Sequence, residues 1–134
     1  MPPDAQEPSG PVPSPTPEDR RRIAHMLRCS LDARRIVADD DAAAIASDMV
    51  RARALVNCFT ELGEAAARLT PRARTLFGAV PWRQVIGMRN IVVHVYWGID
   101  IAELVKTARN DLPPMIAALE AALAAWPPEP PTAA

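Results

Sequence analysis

The chain has 134 residues, a formal net charge of −1 and a hydrophobic share of 49%. That bounds it to one domain and argues against a protein that coats nucleic acid through bulk charge. No apolar run approaches the roughly 20 residues of a membrane span, so a cytoplasmic protein is expected.

Residues 1–17, MPPDAQEPSGPVPSPTP, are proline-rich and polar, with almost nothing to bury; they read as a disordered tail. A basic stretch followed by an apolar one is missing there, so no signal peptide is expected. A folded domain is expected over 18–126, and a second loose tail over 127–134.

The first helix should run from Glu18 to about Ala38, with Ile23, Met26, Leu27, Ser30, Leu31 and Val37 on one face. Thr16-Pro17-Glu18-Asp19 supplies a cap, a first-turn proline and acids at the positive helix end. Asp39-Asp40-Asp41 breaks the pattern and caps a second helix expected from about Ala42 to Leu69. In it Ile45, Met49, Ala52, Val56, Phe59, Gly63 and Ala66 alternate gaps of four and three, with Leu55, Leu62 and Leu69 widening the stripe. Such a helix would be about 42 Å long. Gly63 and its alanine neighbours would let another helix come close.

Thr70-Pro71 opens a short helix over Arg72 to Phe77, closed by Gly78. Pro81 starts the next, which carries WRQVIGMRNIVVHVYW and ends at Gly98. Its run Ile91-Val92-Val93 would suit a strand, but one without a partner, so helix is favoured. From Asp100 a last helical face holds Ile101, Val105, Ala108, Leu112, Ile116, Leu119, Leu123 and Trp126, interrupted at Pro113-Pro114 by a kink or break. The expected fold is all-α: an antiparallel bundle of four main helices plus a short one.

Cys29 and Cys58 lie within helical patterns and read as reduced, core-facing thiols. Neither has the near neighbours that a zinc site would require, so no metal and no cofactor are expected. Charge is distributed unevenly. No acid occurs between Glu64 and Asp100, while Arg68, Arg72, Arg74, Arg83 and Arg89 all do. Those arginines form a local positive field, and Arg68, Arg72, Arg74 and Arg83 are candidates for RNA contact.

That field surrounds RNIVVHVYWG. On a helix Arg89 and Tyr96 share a face, and Asn90 and His94 share the neighbouring one. Singly, these are a surface charge, a hydrogen-bonded core histidine and a core ring with its hydroxyl at an edge. Together, in a chain with two His and one Tyr, they suggest RNA chemistry. Histidine can take the proton of a 2′-hydroxyl or give one to the leaving 5′-oxygen. Arginine can hold the phosphate as negative charge gathers on it. One histidine cannot easily do both, but two chains on a two-fold axis supply a pair.

ELGEAA at Glu61–Ala66, PWRQVIGMRNIVVHVYWGID at Pro81–Asp100 and the NDLPPM stretch that follows carry a resemblance to the HEPN superfamily and, within it, to the HepT-like toxins. It covers about Arg20 to Leu123. The family's R-x4-H-x-Y pattern falls on Arg89, His94 and Tyr96, with Asn90 in the supporting polar position. Many members carry an acid between His and Tyr, where this chain has Val95, which leaves the site more positive. The resemblance implies an all-α homodimer and a metal-independent ribonuclease with both Arg89 and both His94 side chains in one cleft. It also implies a minimal nucleotidyltransferase (MntA-like) antitoxin that silences the toxin by transferring AMP to Tyr96. The alternative is a non-catalytic module that binds nucleotide or the nucleotidyltransferase.

Overall fold

The computed structural model describes residues 15–95 and 101–126, with side chains at 15–90 and 101–126. The expected tails fall almost wholly outside these residues, as do Tyr96 and the helix end at Gly98. Seven helices and no strand occur among the described residues. They are α1 (Pro17–Val37), α2 (Ala42–Ser47), α3 (Met49–Ala67), α4 (Pro71–Leu76), α5 (Trp82–Val95), α6 (Ile101–Asn110) and α7 (Leu112–Ala124).

The start of α1 follows from its cap. Thr16 Oγ1 accepts from the Asp19 amide at 3.0 Å, and Asp19 Oδ2 accepts in return from the Thr16 amide at 2.9 Å. The same carboxylate reaches across the fold. Its Oδ1 accepts from the Thr70 amide at 3.0 Å and its Oδ2 from the Thr70 hydroxyl at 2.7 Å. Thr70 in turn caps α4 through the Ala73 amide. Asp19 is thereby fully buried yet saturated, and it fastens the start of α1 to the start of α4.

The single helix expected over Ala42–Leu69 is instead two. Asp48 takes an extended conformation, φ −103° and ψ 100°, and its Oδ1 accepts from the amides of Val50 and Arg51. A short acid that can satisfy the first amides of a new helix competes with continuing the old one. The break takes Met49 out of the apolar stripe. Met49 is 62% and Val50 78% exposed, whereas Leu55, Phe59, Leu62 and Ala66 are buried as expected. In α1, Leu31 likewise lies outside the core, and Cys29 and Ala33 are buried in the company of Ile23, Met26 and Val37. Ser30 is buried with its hydroxyl donating to the Met26 carbonyl at 2.8 Å.

Near the end of the chain the helix breaks at Asp111, and the two prolines fall in the first turn of α7. Their missing amides have no intrahelical partner in that position, so they open a helix where mid-helix they would distort one.

α3 packs against both α1 and α5, α6 and α7 also pack against α1, and α6 touches α2 and α3 as well. Pairings of Asp19 with Thr70, His25 with Glu61 and the Ile36 carbonyl with Arg51 make α1 and α3 antiparallel. The joint between α4 and α5 is closed by Trp82, whose indole N–H is shared between the carbonyls of Arg74 at 2.9 Å and Phe77 at 3.0 Å. Phe77 stacks on Trp126 with ring centroids 5.2 Å apart, which seats the end of α7 on this joint.

Candidate active site

The placement of α5 is set at Gly63. A Cβ there would lie 2.9 Å from both the backbone nitrogen and the Cβ of Arg89. Hydrogen in place of a side chain therefore allows α3 and α5 to touch backbone to backbone, at the residue that begins the R-x4-H pattern. The close approach expected from Gly63 is present. Gly63→Ala would ordinarily gain about 1 kcal/mol of helix propensity, but overpacking against a backbone costs about 1–3 kcal/mol. A net loss of up to about 2 kcal/mol in urea unfolding is the expected result, and a stabilised variant would contradict the close contact.

Val85 and Met88 bury one side of α5. Arg89 is half-exposed, and Asn90 beside it is exposed. Arg89 Nη1 lies 3.6 Å from Glu64 Oε1, with side-chain exposures of 41% and 48%. Arginine at this exposure remains available to a phosphate, since such pairs hold weakly in water. His94 falls in the last turn of α5, one turn beyond Asn90; its side chain lies outside the described ones, as does that of Val95.

Glu64 also forms part of an open groove between α1 and α3, about 260 Å³ in volume. Its described walls are Arg22, His25, Glu61, Glu64, Ala65 and Arg68. Arg22 Nη1 donates to the Arg68 carbonyl at 3.1 Å. Of the arginines expected to meet RNA, Arg68 lines the same groove as the acid that Arg89 pairs with. Arg72 and Arg74 lie on α4 and Arg83 is exposed on the first turn of α5; none of the three is a described wall of the groove.

The sequence pattern left unmarked both Glu64 as a partner of Arg89 and the pairing of His25 with Glu61. ELGEAA held the signal, because its two glutamates flank the glycine at which α5 arrives. Both cysteines are free and buried, as expected. Burial pushes the Cys29 thiol up to about 12, helped by the charge of Glu61, and burial pushes Cys58 up to about 11. Neither thiol is a ready nucleophile. No described helix is long and apolar enough to cross a membrane.

Residues 26–122 match the family model described as ribonuclease HepT-like. A protein provisionally named an RNase in Methanocaldococcus jannaschii is 37% identical over 60 residues, 45% of this chain and 55% of the relative. One provisionally named a ribonuclease HepT in Thermococcus cleftensis is 32% identical over 60 residues, 45% of this chain and 54% of the relative. A third, provisionally named an RNase in Caldanaerobacter subterraneus, is 32% identical over 66 residues, 49% of this chain and 59% of the relative. The chain thus spans about half the length of the curated relatives it matches. No solved structure matches. With the family model covering most of the described helices, α5 and its R-x4-H pattern included, the chain belongs to the HepT-like ribonuclease family.

Proposed function

We propose that the protein is a metal-independent endoribonuclease, the toxin of a toxin–antitoxin pair, with Arg89 and His94 as its catalytic residues. The observation that carries this reading is the seating of Arg89 against Gly63, together with the family match across the whole of α5. A helix fixed backbone to backbone at Arg89 holds a phosphate-binding guanidinium to a set geometry.

In the proposed reaction the 2′-hydroxyl of RNA attacks the adjacent phosphorus as one His94 takes its proton. The 5′-oxygen leaves with a proton from a second His94, and Arg89 holds the phosphate oxygens where charge gathers. Asn90 supports the site from the same turn. Arg68 is the best placed of the remaining arginines to meet the RNA backbone, with Arg72, Arg74 and Arg83 further out. A second His94 requires a second chain, so the active form is a two-fold homodimer with the α5 helices facing each other. Light scattering at micromolar concentration is expected to return the dimer mass. A monomer there would remove the second proton-transfer group.

Tyr96 lies seven residues beyond Arg89 in the sequence. AMP transferred to its hydroxyl by a nucleotidyltransferase antitoxin would place a phosphate anion beside Arg89 and fill the RNA phosphate subsite. Tyr96→Phe is expected to escape silencing by the antitoxin. Intact mass of the co-expressed chain tests this: an unmodified mass alongside full neutralisation would replace covalent silencing by steric capping. The reading as a whole is tested by expressing wild type beside His94→Ala. Growth arrest and RNA loss are expected from the wild type alone, and equal behaviour of the two would end the toxin reading.

A further inference from the structure

Outside the proposed catalytic residues, α1 and α3 bring together three groups of a different chemistry. His25 and Cys29 stand one helical turn apart on α1, and Glu61 faces them from α3. Cys29 Sγ and Glu61 Oε1 each lie 3.5 Å from His25 Nε2, and all three ligand atoms lie within 4.8 Å of one another. A tetrahedral zinc ion has Zn–S of about 2.3 Å and Zn–N and Zn–O of about 2.0 Å, which makes its ligand-to-ligand edges about 3.3–3.6 Å. Two edges of this trio already have that length. The remaining one is within reach of a small rotation of Glu61, whose side chain is 46% exposed.

The surroundings favour the same use. Asn57 Nδ2 donates to Glu61 Oε2 at 2.8 Å, which orients the carboxylate and leaves Oε1 toward His25. Such an outer hydrogen bond is what a ligating carboxylate ordinarily has. Glu61 and His25 also form walls of the open groove, so a fourth ligand position would face water. We propose that His25, Cys29 and Glu61 bind one zinc ion, or a similar thiophilic divalent cation, per chain, bridging α1 and α3. The site stands apart from the ribonuclease reading and needs none of its residues.

Binding replaces the S–H bond of Cys29 with an S–Zn bond, and the proton goes to solvent, while His25 offers a ring nitrogen and Glu61 a carboxylate oxygen.

Cobalt(II) titrated into the full chain under reducing conditions tests the site. One equivalent is expected to give a near-ultraviolet thiolate-to-cobalt charge-transfer band and the intense visible bands of a four-coordinate ion, both bleached by zinc. Cys29→Ser should abolish the charge-transfer band. Glu61→Gln, a surface change that spares the fold, should weaken binding, and Asn57→Ala should weaken it about tenfold. Cys58→Ser should bind as wild type does. Zinc should raise the unfolding temperature of wild type and leave that of Cys29→Ser unmoved. Absence of the charge-transfer band, or its loss in Cys58→Ser and survival in Cys29→Ser, would overturn the assignment. So would full-strength binding by Glu61→Gln.

Discussion

His94→Ala is expected to lower RNA cleavage by about a thousandfold, the usual scale for a group that transfers a proton in the transition state. Helical content and dimer mass should be unchanged. Arg89→Ala should cost about as much through lost charge stabilisation of the phosphate. Lysine at position 89 should rescue only part of that loss, because it offers a point charge where a planar fork is needed. The two losses should not add, since the groups act on one transition state. Arg83→Ala supplies the contrast. It should weaken RNA binding a few-fold and flatten its salt dependence by about one ion, leaving the chemical step intact. Single-turnover rates at saturating RNA separate these outcomes. A cleavage rate in His94→Ala within tenfold of wild type would remove histidine from the mechanism.

The second large effect concerns the fold. Asp19→Ala should reduce stability by about 2–3 kcal/mol, because removing the carboxylate strands the amides of Thr16 and Thr70 and the Thr70 hydroxyl in a partly buried joint. A pH signature accompanies it. Burial by itself would raise the Asp19 carboxyl, but the hydrogen bonds from Thr70 and Thr16 outweigh burial and hold it below its ordinary value. A depressed folded-state value means that stability is present in full above the unfolded-chain value, about 3.9. It is lost as pH falls from there through the lower folded value. Wild type should therefore lose stability on acidification through that window, and Asp19→Asn should lose less over the same range. Parallel acid limbs for the two proteins would contradict the depressed carboxyl.

Much of this architecture could be read from local chemistry. The Thr16–Asp19 cap, the Thr70-Pro71 start of α4 and the glycine that admits α5 are signals within a few residues of the features they cause. The break at Asp48 was missed because an apolar stripe runs through it. Leu55 and Phe59 continue the pattern of Ile45, and only the capping geometry of one acid shows that two helices share it. At Pro113-Pro114 the prolines gave the interruption, but not that it lies two residues earlier. Long-range pairings were beyond such reading. Nothing local ties Asp19 to Thr70 across 51 positions, or Glu61 to His25 on another helix, until α1 and α3 are laid antiparallel. For the candidate site, the pattern of Arg89, Asn90 and His94 was legible as a spacing. The acid that pairs with Arg89 was not, since Glu64 lies at the far end of a sequence window that contains no other.

The most direct test of the ribonuclease account is incubation of the purified wild-type chain with end-labelled single-stranded RNA in excess EDTA. Attack by the 2′-hydroxyl with histidine as acid and base predicts undiminished cleavage and products that end in 2′,3′-cyclic phosphate. No cleavage under these conditions, with activity appearing on addition of magnesium, would contradict it.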